Sequence, residues 1–138
     1  MVGKLPLENA RKQLSECVEL TGPVPRAVIH EHYAWADVFL LPSICEGSAT
    51  VCYEALAAGL PVVTTPNSGS VVRDGVDGFV VPIRDADAIV ERLERLASVP
   101  NLLEEMSTNA LQRAAEFTVE KYGQRLLATL SAGHKGDS

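Results

Sequence analysis

Two glutamates, Glu46 and Glu54, bracket a run of small and hydroxyl-bearing residues, Gly47-Ser48-Ala49-Thr50-Val51-Cys52-Tyr53. A helix beginning at Ser48 or Thr50 aims the free N–H groups near Ser48, Ala49 and Thr50 outward, and such a terminus attracts an anion. Gly47 permits close backbone approach. A diphosphate is the natural guest. Carboxylates would repel a phosphate, so Glu46 and Glu54 suit hydroxyl groups instead, those of a ribose or sugar flanking the diphosphate. Inside one helix, a spacing of eight would set them ~80° apart in projection. With Glu46 ahead of the helix, both can border one cavity. A plainer role fits the same residues: Ser48 or Thr50 caps a helix, and Glu54 is a helix residue favoured by the dipole. The spacing alone leaves both roles open.

The elements that position this run alternate between short apolar strands and amphipathic helices, the pattern of a mostly parallel α/β sheet. Residues 1–3 read as a strand tail, 7–17 as a helix and 18–20 as a short strand, ended by Gly22-Pro23. Pro25 suits the first position of a helix reaching about Ala36, since its missing donor would be unpaired there. Residues 38–41 are continuously apolar, as in a strand buried on both faces. The small-residue helix follows, with body 51–58, Gly59 closing it and Pro61 beyond. Residues 61–65 form a second buried strand, 66–70 a polar loop, Asp74-Gly75 and Asp77-Gly78 two turns, and 79–81 the last strand. Helices are expected over 86–97, with Ile89, Val90, Leu93 and Leu96/Ala97 buried, then over 102–115 and 119–130. Residues 1–132 thus form one domain, and 133–138 a flexible tail. In such a sheet ligands bind beyond the carboxyl ends of strands, where residues 43–50 and 66–70 lie.

Bulk properties narrow the function classes. The chain has 138 residues, 46% hydrophobic and 22% charged, enough for one soluble domain with its own core. Eighteen acidic against 12 basic residues give a net charge of −6, which argues against covering nucleic acid. No apolar run approaches the ~20 residues that span a bilayer, and no signal peptide opens the sequence. Cys17, Cys45 and Cys52 are too few and too irregular for a zinc site or disulfide framework. They read as core-filling thiols, and their odd number fits a reducing compartment, the cytoplasm. His30 and His32 fall in a helix as ordinary residues, and no metal-ligand cluster is visible.

The run Glu46-Gly47-Ser48-Ala49-Thr50-Val51-Cys52-Tyr53-Glu54-Ala55-Leu56-Ala57-Ala58-Gly59-Leu60-Pro61-Val62-Val63 resembles the signature of the group 1 retaining glycosyltransferases of GT-B fold. Upstream, Val24-Pro25-Arg26 and Tyr33-Ala34-Trp35-Ala36-Asp37-Val38-Phe39-Leu40-Leu41-Pro42-Ser43 are similar to the segment preceding it. Downstream, Asp74-Gly75-Val76-Asp77-Gly78-Phe79-Val80-Val81-Pro82 matches as well. The resemblance extends from Met1 to about Leu130, and the ordered blocks are highly specific. It implies a doubly wound parallel sheet, the Rossmann-like donor-binding half of a GT-B fold, truncated at its N-terminus and followed by C-terminal helices.

The resemblance also implies roles. Glu46 falls at the donor sugar as the catalytic residue, Glu54 at the donor ribose, and the backbone of Gly47, Ser48, Ala49, Thr50 and Val51 at the diphosphate. Gly22 and Val24 fall in a loop lining the base pocket. The partner is a nucleotide diphosphate sugar, transferred with retention and without a metal or other cofactor. One departure is the loop after the second buried strand, where Asn67-Ser68-Gly69-Ser70 is shorter than in the family. Ser70 stands where a glutamate is common. The alternative is a free-standing nucleotide- or sugar-phosphate-binding module without transfer activity.

The family's domain opens with a strand and helix that bear cationic diphosphate contacts, and an acceptor-binding domain precedes it. Both are expected to be missing here, together with the central strand of a 3-2-1-4-5-6 sheet. The isolated chain is therefore expected to transfer no sugar, because donor and acceptor must be fixed together, and to self-associate through the sheet edge at residues 38–41. Turnover above a buffer control, or a stable monomer by light scattering at high micromolar concentration, would contradict these expectations.

Overall fold

A computed structural model describes residues 18–133. The chain divides into two compact units, Met1–Trp35 and Ala36–Ser138. In the first, the described regular element is α1, Ile29–Trp35. Pro25 stands ahead of it in a turn, where its carbonyl accepts the Val28 N–H at 3.1 Å, so the helix begins later than a proline at its first position implies. Residues 18–20 form no strand. Three residues with an exposed glutamate in the middle supply too little apolar surface to hold one against a sheet. The expected elements at 1–3 and 7–17, and all but the first residue of the expected tail at 133–138, lie outside the described residues.

The second unit runs β1 (Phe39–Leu41), α2 (Thr50–Ala57), β2 (Val62–Thr64), a 3-10 turn (Pro66–Ser68), β3 (Gly78–Val80), α3 (Ala86–Ser98), α4 (Leu102–Ala114) and α5 (Val119–Gly133). The three strands form a parallel sheet in the order β1-β2-β3. Phe39 stands opposite Val62 and Val62 opposite Gly78, so the strands end level, at Leu41, Thr64 and Val80. This is the 4-5-6 half of the expected order. β2 lies in the middle and is wholly buried, which is why Val62-Val63-Thr64 shows no polar alternation. β1 is half-buried, with Leu40 exposed.

Helices cover both faces of the sheet. Side chains alternate along a strand, so Val63 and Phe79 share one face and Val62 and Thr64 the other. On the first face Val63, Phe79, Val81, Leu96 and Met106 form the core, with Ile89, Leu93, Leu102 and Leu103 packed against it. On the second, Thr64 meets Cys52 of α2. α3 is capped by Asp85, whose carboxylate accepts the Ala88 N–H at 2.9 Å. Its buried stripe is Ile89, Leu93 and Leu96; Val90 and Ala97, also expected there, are exposed because each lies ~100° round from its buried neighbour. α5 runs three residues past the expected Leu130 and leaves Val119, Tyr122, Leu126, Leu127 and Leu130 exposed. Among the described residues no helix is long and apolar enough to cross a membrane.

The segment Asp74–Gly78 is one turn feeding β3, not two. The Gly75 N–H donates to the Gly78 carbonyl at 2.8 Å, and Gly78 is already strand. Asp77 is fully buried and accepts the backbone N–H of Arg73 at 2.8 Å as well as its guanidinium. Asp74 accepts the Val80 N–H at 2.9 Å. A Cβ on Gly78 would lie 2.0 Å from the Val62 carbonyl oxygen, inside the ladder joining β2 and β3. At Gly75 there is open space, but φ is +74°. Urea denaturation should therefore show Gly78→Ala losing about 3 kcal/mol or more from overpacking against backbone. Gly75→Ala should lose about 1 kcal/mol, the cost of a left-handed alanine. Equal losses would mean that the close approach at Gly78 is relieved by strand movement.

Candidate functional site

The two loops beyond the ends of β1 and β2 are bonded to each other along their length. The Thr64 hydroxyl donates to the Leu41 carbonyl at 3.0 Å, and the Thr65 hydroxyl donates to the Ser43 carbonyl. The Asn67 amide donates to the Ile44 carbonyl at 3.0 Å. In the other direction, the Glu46 N–H donates to the Asn67 carbonyl at 2.8 Å and the Ala49 N–H to the Ser68 carbonyl at 3.1 Å. The buried Ser68 hydroxyl closes the 3-10 turn on the Thr65 carbonyl at 2.9 Å. Gly69, at φ +62°, lets the loops touch: a Cβ there would lie 2.5 Å from the Gly47 carbonyl oxygen. Among the described residues no buried side-chain nitrogen or oxygen is left without a partner.

These bonds decide which N–H groups at the start of α2 are available. Ala49 occupies the N-cap, and no side chain caps the helix. The expectation that Ser48 or Thr50 caps it is corrected, because the helix starts at Thr50 and so puts Ala49, which has no side-chain acceptor, at the N-cap. Of the expected free N–H groups, Ala49 is bonded to Ser68 and Thr50 to the Ser48 carbonyl at 3.0 Å. The N–H groups of Gly47, Ser48 and Val51 take no described backbone partner. Those three residues are exposed. This is a row of donors at the positive end of a helix dipole.

Glu46 stands at the head of this row. It is exposed, with the Ser43 hydroxyl 3.4 Å from its carboxylate. Glu54 sits on α2, half-buried, four residues after Thr50 and three after Val51, on the helix face opposite the buried Cys52, Ala55 and Leu56. Side chains on a helix lean toward its N-terminus, so Glu54 leans back over the first turn. The structure thus places Glu46 and the backbone of 47–51 at the N-terminal end of α2, with Glu54 one turn further along the helix. Gly22, buried, and Val24, half-buried, belong to the first unit, so this assembly is built from the second unit alone.

The cysteines separate. Cys45, beside Glu46, is exposed, which corrects its reading as core filler; it sits in a loop turned outward by the bonds to Asn67. Cys52 is fully buried behind α2. Burial pushes its thiol up to about 11; a hydrogen bond with Thr64 offsets part of this, and the nearby Glu46 carboxylate adds to it. The sequence reading missed Thr65, Asn67 and Ser68. A signal was present, since two threonines ending a buried strand need acceptors, and the carbonyls of the neighbouring loop are at hand.

A sequence profile of the family described as Glycosyl transferases group 1 matches residues 1–98. The chain belongs to the group 1 glycosyltransferases. The D-inositol 3-phosphate glycosyltransferase of Streptomyces griseus is 34% identical over 110 residues, covering 78% of this chain and 23% of that protein. Sucrose-phosphate synthase from Thermosynechococcus elongatus superposes with a TM-score of 0.74 at 26% identity, over 89% of this chain and 33% of that one. Anabaena HepE in complex with UDP-glucose gives 0.77 at 24%, over 95% and 40%, a likeness of fold. This glycosyltransferase chain therefore spans 23% to 40% of the length of these three proteins, and its α/β sheet is the corresponding part of their GT-B fold.

Thiol chemistry tests the site's geometry. At pH 8, mass spectrometry after treatment with a maleimide should find Cys45 modified and Cys52 unmodified until the protein is unfolded. The raised thiol also sets a stability window. Below the ordinary value of 9.0 the Cys52 contribution is fully present; it is lost as pH rises through about 11, because only the unfolded state releases the proton between them. Rapid labelling of Cys52 in the folded protein would show that α2 does not pack on β2 as described.

Proposed function

We propose that this chain forms the donor-binding part of a glycosyltransferase that moves a sugar from a nucleotide diphosphate sugar to an acceptor with retention of configuration. The observation that carries the reading is the row of unengaged N–H groups at Gly47, Ser48 and Val51, set between Glu46 and Glu54 at the N-terminus of α2. A diphosphate in that row receives donors and the helix dipole, and no metal is invoked. Glu46 then reaches the sugar and Glu54 the ribose hydroxyls, with Ala49 and Thr50 holding the backbone between them. Gly22 and Val24 are assigned to the base pocket by resemblance alone. The uracil nucleotide is the natural first probe, because HepE takes UDP-glucose. The free thiols Cys45 and Cys52 suit a reducing compartment, the cytoplasm.

Two roles for two carboxylates give separable outcomes. Ribose contacts form in the ground state, so Glu54→Ala should weaken binding of uridine diphosphate about tenfold to a hundredfold, the worth of a hydrogen bond to a charged group. Glu46→Ala should change that affinity less, since the diphosphate alone carries no sugar for it to touch. In a longer polypeptide that includes the acceptor-binding part, Glu46→Ala should lower kcat more than it raises KM. Calorimetry giving one affinity for wild type and both variants would remove the assignment.

A further inference from the structure

We infer that Thr65 and Asn67 are positioning residues: by holding the carbonyls of Ser43 and Ile44 they fix the loop that carries Glu46 and the diphosphate-binding N–H groups. This rests on the proposed donor site, but its own basis is the bonding between loops. β1 fixes the loop 42–49 only at Leu41, and α2 fixes it only from Thr50. Between them, the side-chain donors to its carbonyls are Thr65 at Ser43 and Asn67 at Ile44. The Asn67 residue also takes the Glu46 N–H on its own carbonyl at 2.8 Å. One asparagine therefore grips the loop on both sides of Cys45, immediately before the catalytic candidate.

The energetics favour a local role. The Asn67 bond is exposed, whereas Thr65 is almost fully buried, and Thr64 already ties Leu41 to β2 one residue inside the sheet. Losing the Asn67 amide leaves the core of Val63, Phe79 and Val81 untouched. What it frees is the direction of the Gly47 and Ser48 N–H groups. The hydrogen bonds that backbone donors give an anion depend on those directions. Thr65 adds a second, buried anchor whose removal would leave the Ser43 carbonyl without its donor.

The test uses the full chain with uridine diphosphate as the probe, in Asn67→Ala, Asn67→Asp, Thr65→Val and Thr65→Ser. Asn67→Asp keeps shape but removes the donor; Thr65→Ser keeps the hydroxyl. Affinity should fall about tenfold in Asn67→Ala, Asn67→Asp and Thr65→Val, the order of one neutral hydrogen bond. Thr65→Ser should retain most of it. Amide hydrogen exchange supplies the readout that a general loss of stability would not reproduce. In Asn67→Ala the Glu46 and Ala49 amides should exchange about tenfold faster, while those of Val63 and Phe79 keep their wild-type rates.

Faster exchange across Val63 and Phe79 as well, or wild-type affinity in both Asn67 variants, overturns the positioning role. Equal loss in Thr65→Ser and Thr65→Val overturns it for Thr65. Wild-type chain that does not bind uridine diphosphate defeats the functional reading instead; the exchange rates of Glu46 and Ala49 then judge the positioning role alone, and unchanged rates overturn it.

Discussion

Parallel strands send their chains out of the same end of the sheet, and in this protein the exits of β1 and β2 are level. Five pairs of polar groups then meet across a gap that neither strand can close: the carbonyls of Leu41, Ser43 and Ile44 face the side chains of Thr64, Thr65 and Asn67, while the N–H groups of Glu46 and Ala49 face the carbonyls of Asn67 and Ser68. Buried backbone groups must find partners, and the second loop is composed of residues that supply them. The candidate site depends on this pairing. Without it the loop 42–49 is a free connection, and α2 starts in no defined direction.

The pairing is in turn held from behind. The loop after β2 cannot drift away from the first, because its far end is tied to α4: Arg113 donates to the Val71 carbonyl at 2.9 Å and Asn109 to the Val76 carbonyl at 3.0 Å. The turn at Asp74–Gly78 then delivers the chain to β3, with Asp77 buried against Arg73. α2 packs against α4 near Gly59, where an added Cβ would meet Ser107 and Leu111 within 3.6 Å. So α4 braces both the helix whose N-terminus carries the donors and the loop that aims them. Carboxylates divide accordingly. Asp74, Asp77 and Asp85 accept backbone N–H groups as structural acceptors, whereas Glu46 stays exposed beside the proposed diphosphate site.

What could be read from sequence was what depends on neighbouring residues. Val62-Val63-Thr64 is apolar because both faces of β2 are covered, and Ile89, Leu93 and Leu96 repeat because α3 has one covered face. The Glu46/Glu54 pair was visible because its residue types and its helix lie within one short run. The cap of α2 was not, since Ser48 and Thr50 are both suitable capping residues and the N-cap position fell on Ala49 between them. Residues 18–20 looked like a strand because so short a segment is ambiguous without knowledge of a partner. Thr65 and Asn67 bond to residues 22 and 23 positions away, so the two threonines showed a need for acceptors but no local pattern names their partners.

For a chain of net charge −6 the proposed diphosphate site poses an electrostatic question, and the loop pairing answers it. Surface carboxylates more than about 8 Å from the anion are largely screened at physiological ionic strength. What remains is short-range: N–H groups within hydrogen-bonding distance, and the end of a helix dipole, whose effect fades within a turn. Both operate only if the donors already point at the ligand before it arrives, because turning them afterwards costs the energy they would supply. The backbone donors of such a site act through geometry. Its strength lies in the bonds between two loops, and a carboxylate as close as Glu46 is tolerable only because the Glu46 N–H, held by Asn67, fixes where that residue stands.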